Sequence, residues 1–356
     1  MTPTHTNHHH IEHSVYAGVT VVDCKYAECG STNEEAANLL RRARAGENAE
    51  WFNEHDHAML HEHANASSTS HTHLPVVVSA EFQTRGRGRR GKEWHGNAGE
   101  NLYISVGLPA PTWTAHLADY QLLGCMAVCA ALEQILNTDA NPASSNDTTS
   151  QSPSQSPYSV QVKYPNDVLL GAHSSAAGAR KVCGVLVETE FRGSELGHVV
   201  CGMGVNVNQL EFAHVNQLNI EANPTPNATS MRLVAGRQFD LREVRQLVLQ
   251  NFFELLNTSA DAVFAAWEQK LNLKDKRICT LHTTNDLQET NTTTHAYQVV
   301  CVQRDGMIRV REPQNMEGGG EVAVSPHGEF VLSPHSTSFR VCAEDGSCCE
   351  QASSLI

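Results

Sequence analysis

The 356-residue chain has a formal net charge of −14 and only 6% aromatic residues, which excludes nucleic-acid binding through a general basic surface and leaves room only for a local basic site. Its length allows two compact domains, or one large and one small domain with inserts. Its eleven cysteines are odd in number, form no CxxC pair and at Cys24, Cys125, Cys183, Cys201, Cys279 and Cys301 lie in apolar surroundings, so they read as reduced thiols inside a cell.

The chain opens without an apolar signal core. Lys25 is the only basic side chain in its first forty residues, unlike a secretory or mitochondrial leader. No run is long enough to span a bilayer, so a cytoplasmic protein with no membrane partner is expected. The polar head through His13, with His8, His9 and His10, reads as a disordered tail. A first strand is predicted over 15–22. Ser31, Thr32, Asn33 and Glu34 then supply capping side chains for an Ala, Leu and Arg run that closes at Gly46, which predicts a helix.

Residues 53–73, rich in His, Ala, Asn, Ser and Thr, read as an insert, as do 137–157, which are almost entirely polar or Pro. Both are too poor in apolar residues to offset the entropy of ordering. Irregular His spacing in the head and first insert fits no fixed metal geometry. Strands are predicted at 74–82, 101–108, 158–164, 181–191 and 197–207, each short, Val- and Ile-rich and bounded by turn residues. A helix over 116–136 is apolar nearly all round and is therefore expected to be buried. One or two amphipathic helices over 241–271 close this unit.

Beyond 271 the pattern changes to short strands at 278–281, 296–303, 308–311, 321–324 and 330–332, with a hairpin signal at Asp305-Gly306. Five short strands suggest a small barrel. The boundaries read as a head (1–13), a large domain (14–271), a small domain (272–334) and a tail (335–356) without usable pattern.

Chemistry concentrates in four places. Residues 85–92 hold Arg85, Arg87, Arg89, Arg90 and Lys92 between Gly86, Gly88 and Gly91. Flexible backbone N–H groups and guanidinium forks can wrap a polyanion. Gly-Arg runs also occur in disordered RNA-binding tails; here the run follows one strand and precedes Trp94 and another, the place of a loop over a site. Lys163-Tyr164-Pro165-Asn166-Asp167 ends a strand and is, by itself, a turn. Lys181 opens the apolar run to Glu188, where its charge is costly unless an anion meets it or it snorkels to water. Gly202-Met203-Gly204-Val205-Asn206 combines close backbone approach with an amide donor and acceptor, though Gly in a strand also marks bulges.

In this order and in strand contexts, Gly86 to Gly91 with Trp94, Lys163 to Asp167, Lys181 to Glu188 and Gly202 to Asn206 resemble the signature blocks of biotin protein ligases, and Ser31-Thr32-Asn33 before a helix resembles the family's first block. Tyr164 stands where many members have Trp, and Lys92 where some have Arg; both keep the chemical type. The resemblance implies an α+β fold, a mixed-sheet catalytic domain similar to class II synthetase cores, with a small SH3-like β-barrel at the C-terminus. It implies ATP and Mg with biotin as substrate, formation of biotinyl-5'-AMP, and transfer to a lysine of biotin carboxyl carrier domains of acyl-CoA carboxylases. Ser31, Thr32, Asn33, Gln83 and Gly184 match biotin-facing positions, Arg87, Gly88 and Arg89 the loop over ligand and phosphates. Gly86, Arg89, Trp94, Lys163, Asn166 and Asn206 match the ATP and adenylate side, with Trp94 packing on adenine. Lys181 matches the lysine between carboxylate and phosphate, and Asp167 either a Mg ligand or the residue that orients the incoming lysine. The family's DNA-binding winged helix has no counterpart in the short polar head, so no DNA partner is expected. A lipoate or octanoate ligase of the same superfamily and a non-catalytic nucleotide- or RNA-binding module are the alternatives.

Overall fold

The computed structural model describes residues 8–46, 74–109, 117–138, 156–175, 178–212, 228–271, 273, 276–286, 289–305, 307–311, 329–332 and 339–341. The chain divides into two compact units, 1–263 and 264–356.

The first unit is built on an eight-stranded mixed sheet, ordered β1-β2-β3-β4-β8-β7-β6-β5. Its strands are β1 (His8–Tyr16), β2 (Val19–Cys29), β3 (Val76–Gln83), β4 (Leu102–Leu108), β5 (Tyr158–Lys163), β6 (Asp167–Ala172), β7 (Arg180–Arg192) and β8 (Glu195–Val205). Only β2 and β3 run parallel; helix α1 (Thr32–Arg44) lies between them in sequence and covers that part of the sheet, as a parallel connection requires.

The N-terminus corrects two expectations. The head is not disordered through His13: β1 begins at His8 and pairs with β2 from His8↔Tyr26 to Tyr16↔Val19, with a register shift between His8 and His10. The strand expected over 15–22 is instead the corner of this hairpin, with Ala17 at φ 48° and Gly18 at φ 77°. An edge strand needs only one apolar face, so polar residues suit its other side: Lys25 Nζ lies 2.5 Å from Glu12 Oε1, and Ser14 donates to Asp23 at 3.2 Å. A fully buried Asp23 also pairs with Arg245 Nη2 at 2.5 Å and accepts from Tyr16 Oη at 3.1 Å. Arg245 Nε reaches Ser79 Oγ at 3.3 Å.

Each face of β8 has its own function. Val200 packs in the cluster of Leu39, Leu40 and Ala43 from α1 with Val22, Cys24, Val76 and Val78. Cys201, pointing the other way, contacts Tyr120 at the start of α2 (Asp119–Thr138). A Cβ added to Gly124 of α2 would lie 2.8 Å from Cys201 Sγ and 2.9 Å from Val185 Cγ1, so this helix sits close on the sheet. It also packs against α4 (Leu241–Leu256), which explains why it is apolar all round. Burial pushes the Cys201 thiol up to about 12 and those of Cys125 and Cys183 well above the usual range. These are inert, reduced core groups.

Helix α3 (Met231–Ala235) is capped by Ser230, which accepts from Leu233 N–H, and α4 by Asp240, which accepts from Arg242 N–H. The run expected over 241–271 is two helices, the second being α5 (Ala260–Leu271), and the division between units falls inside it. The insert expected at 53–73 lies outside the described residues, as does most of that at 137–157; α2 continues to Thr138 and the described chain resumes at Ser156.

In the second unit β9 (Arg277–Asp286), β10 (Glu289–Val302), β11 (Ile308–Arg311), β12 (Glu329–Leu332) and β13 (Phe339–Val341) form an antiparallel sheet ordered β12-β11-β10-β9-β13. The hairpin expected at Asp305 joins β10 to β11, with Gln303 N–H donating to Met307 O at 2.7 Å. The strand expected at 321–324 lies outside the described residues, and β13 comes from the segment read as a patternless tail. Among the described residues this sheet is what stands for the expected SH3-like barrel. No helix among them is long and apolar enough to cross a membrane.

Candidate active site

The glycine-arginine segment folds back on itself after β3. Gly88 N–H donates to Lys92 O at 2.7 Å, Trp94 N–H to Gly86 O at 3.0 Å, and Arg87 bridges to Glu93. Any side chain at Gly86 would run into the carbonyl oxygen of Trp94. The turn at the tip places Arg90 at φ 56° and Gly91 at φ 72°, the left-handed region that favours glycine.

This ribbon delivers Trp94 to the sheet. A Cβ on Gly204 would come within 2.6 Å of the indole, and one on Gly184 within 2.8 Å, so the ring lies directly on two glycines of adjacent strands paired at Gly184↔Gly204. Lys181 Nζ is 5.2 Å from the ring centroid and 2.6 Å from Asp167 Oδ1, an ion pair without an aligned hydrogen bond. The β6–β7 register explains why Lys181 is here. Asp167 pairs with Gly184 and Val168 with Cys183, but Leu169 pairs with Lys181, so Val182 is an extra residue in β7. Cys183 faces the core beneath α2, and strict alternation would send Lys181 there as well; the bulge turns it to the face of Asp167 and Trp94.

Further cations gather at this end. Arg89 Nη1 donates to Asn166 Oδ1 at 3.2 Å, and Asn166 Nδ2 donates to Val185 O at 3.0 Å. Desolvation holds Arg89 below the usual guanidinium range, with the Arg90 charge adding to it. Desolvation also lowers Lys163, Asp167 acts to raise it, and Lys181 and Lys92 lower it further. Asn206 is buried; its Nδ2 donates to Thr229 O at 3.1 Å, while Thr229 N–H donates to Lys181 O at 2.8 Å.

The other end is neutral. Thr32 N–H and Oγ1 lie 2.8 Å and 3.1 Å from Gln83 Oε1. Ser105 Oγ, fully buried, is 2.8 Å from Thr32 Oγ1 and 2.6 Å from Asn33 Oδ1. Asn33 Nδ2 donates to Glu188 Oε2 at 2.7 Å and to Leu186 O at 3.2 Å, and Glu188 Oε2 also takes Arg87 Nη2 at 2.9 Å. A side chain at Gly202 would run into the Asn33 amide. The expected side-chain cap at Ser31 is absent: Ser31 is the N-cap residue but makes no cap hydrogen bond, while Gln83 from β3 accepts from the Thr32 N–H and the Glu34 carboxylate pairs with Arg85. The closing Gly46 is as expected, at φ 77° with its N–H on Ala43 O.

Gly184, Glu188, Gly202 and Gly204 of β7 and β8 thus meet Asn33 at the start of α1 and Trp94 and Arg87 of the loop, Thr32 joins Gln83 at the end of β3, and Asn166 and Asp167 meet Arg89 and Lys181. Sequence reasoning gave no role to Ser105 or to the Glu188 carboxylate; their signals are a hydroxyl in the apolar run 102–108 and an acid ending the apolar run from Lys181.

The biotin/lipoate A/B protein ligase family model matches residues 56–206. Over those residues, fewer than half of the chain, the sequence resembles that family. Relatives within and around this family include the bifunctional ligase/repressor BirA of Bacillus subtilis, 26% identical over 177 residues, covering 50% of this chain and 44% of that protein. The biotin--[acetyl-CoA-carboxylase] ligase of Mycobacterium tuberculosis is 29% identical over 188 residues, covering 51% of this chain and 48% of that one. The chain thus matches under half the length of each of these relatives. A solved structure of the biotin protein ligase from Aquifex aeolicus, in complex with biotin and ATP, superposes with a TM-score of 0.50 at 21% identity, covering 90% of this chain and 98% of that one. The likeness is one of fold, and the large mixed sheet with its helices is the ligase family's catalytic fold.

Proposed function

We propose that the chain is a biotin–protein ligase, which uses ATP to make biotinyl-5'-AMP and passes the acyl group to a lysine of a biotin carboxyl carrier domain. One observation carries the reading: a neutral, mutually hydrogen-bonded cluster and a cationic cluster share one face of β7, at Glu188 and Lys181. Seven residues of strand span roughly 20 Å, a length that suits a ligand with an uncharged ring at one end and phosphate at the other. Thr32, Asn33 and Gln83, with Ser31 beside them, offer donors and acceptors to the ureido ring, while Gly184, against Trp94 and Lys181, leaves room for biotin at the other end. Arg87, Gly88 and Arg89 cover the ligand, while Gly86, Trp94, Lys163, Asn166 and Asn206 take the nucleotide.

In the first step the biotin carboxylate attacks the α-phosphate, the bond to the β-phosphate breaks and pyrophosphate leaves. Lys181, Arg89 and Lys163 offset the repulsion between the anions and the charge that builds in the transition state. The loop keeps water from the mixed anhydride. In the second step the acceptor lysine, with an ordinary pKa of about 10.4, loses its proton, its nitrogen attacks the acyl carbon and AMP departs. Asp167 is engaged by Lys181, and among the described residues no three His, Cys, Asp or Glu side chains cluster as a metal cage. A Mg carried mainly by the nucleotide phosphates takes only one or two protein carboxylates, so Asp167 would be the residue to hold it or, paired with Lys181, to orient the incoming lysine.

Acid-dependent exchange of pyrophosphate into ATP tests this, with biotin, lipoate and octanoate supplied in turn, followed by labelling of a carrier domain. Exchange and labelling with biotin are expected. Exchange with lipoate or octanoate alone would move the chain to the lipoate side of the family, and exchange with none would end the reading.

A further inference from the structure

Glu188 lies on the site face of β7, partly exposed, and touches no reacting group in the proposed chemistry. Its Oε2 nevertheless accepts two hydrogen bonds from different segments: 2.7 Å from Asn33 Nδ2 at the neutral end, and 2.9 Å from Arg87 Nη2 in the loop. An amide has distinct donor and acceptor ends. With Nδ2 turned to Glu188 and Leu186 O, Oδ1 must face Ser105 at 2.6 Å. The flipped amide would set its own oxygen against the carboxylate and the carbonyl, leaving three acceptors together. Ser105 has a single proton to give, and at the shorter contact it goes to Asn33 Oδ1. The sense of the run through Ser105, Thr32 and Gln83 is therefore anchored at Glu188. The same carboxylate tethers the loop.

We propose that Glu188 is a positioning residue that fixes the amide of Asn33 and hooks the glycine-arginine loop through Arg87, so that the orientation of the neutral end and loop closure are set by one group; its kinetic consequence rests on the acyl-adenylate reading, whereas the loop tether does not. Replacing Glu188 by Ala removes both contacts. Replacing it by Gln keeps an acceptor for Asn33 and removes the negative charge that faces Arg87.

The test compares the full wild-type chain with E188A and E188Q in two measurements. The first is hydrogen exchange of the Gly88 and Trp94 amides without ligand, both of which are held by the loop ribbon. E188A is expected to speed their exchange about tenfold, discounted from a fully buried charged contact because the pair is partly exposed. The second is the split between KM for biotin and kcat in pyrophosphate exchange. E188A is expected to raise KM about tenfold with kcat within about twofold, and E188Q to raise it by less. A merely structural Glu188 would lower Tm and leave both the local exchange and KM at wild-type values, which overturns the proposal. If the wild type turns over no biotin, the function reading falls, and the amide exchange still decides the tether.

Discussion

The two ends of the site are built on opposite principles. Around Thr32, Asn33, Gln83 and Ser105 the polar groups satisfy one another at 2.6–3.2 Å, and the charges beside them, Glu188 with Arg87 and Glu34 with Arg85, are paired. Around Lys181 gather the cations Arg89, Lys163 and Lys92 with the carboxylate Asp167, and burial pulls Arg89 and Lys163 toward their neutral forms. The first arrangement is stable as it stands and selects a ligand by shape and donor pattern. The second is short of negative charge and is relieved by an anion. Damage at the neutral end should therefore appear in affinity and stability, and damage at the charged end in rate.

The strongest way to break that comparison is Lys181→Gln. Loss of a charge aimed at the developing phosphate is expected to slow biotin-dependent pyrophosphate exchange by about a hundredfold or more. Thermal stability should change little, because Asp167 keeps the fields of Lys163 and Arg89. An equal fall in Tm and rate in a melting and exchange series would mean that the ion pair holds the fold rather than serving the reaction.

Gly204→Ala probes the border between the ends. The new methyl would press to 2.6 Å on Trp94, and overpacking of that kind typically costs about 1–3 kcal/mol. The indole must shift, so KM for ATP is expected to rise about tenfold while biotin binding measured without ATP stays at its wild-type value. A matching loss of biotin affinity would show that the two ends are not separable.

Ser105→Ala should act as a neutral-end change. Removing the buried hydroxyl leaves Asn33 Oδ1 without its donor, worth about 1–3 kcal/mol. A thermal melt should register a drop of about 2–4 °C for each kcal/mol lost, with KM for biotin raised and kcat nearly unchanged.

The smallest effect lies away from both ends. His198 is buried beside Glu190 at 4.0 Å; desolvation lowers its pKa, and the opposing pull of Glu190 does not overcome this. With the folded value below the unfolded one of about 6.5, the unfolded chain binds the extra proton first, so stability is complete above about 6.5 and declines as pH falls from there toward the folded value. The expected result is a Tm that falls over this window in wild type and falls less in His198→Gln. Both should show the same pH dependence if His198 is not responsible.

Local sequence determined much of this protein. Alternating Val and Ile runs specified β3, β4, β5, β7 and β8 to within a few residues, an all-round apolar run specified the buried α2, and the Gly-Arg, Lys163, Lys181 and Asn206 blocks marked the residues that meet at the site. Those signals are carried by neighbours along the chain, where side-chain period and turn chemistry act. Contacts between distant segments decided the rest. Pairing with β2 turns a polar, His-rich head into β1, and the first-turn N–H of Thr32 is taken by Gln83 from β3 while Ser31 makes no cap bond. Ser105 and Glu188 become part of the site only when β4 and β7 are laid beside α1. Lys181 shows the limit most clearly: its presence is plain in the sequence, but the face it serves depends on one unpaired residue, Val182, in the register between β6 and β7. A strand alternates strictly until a bulge shifts its parity, and that shift is set by the partner strand.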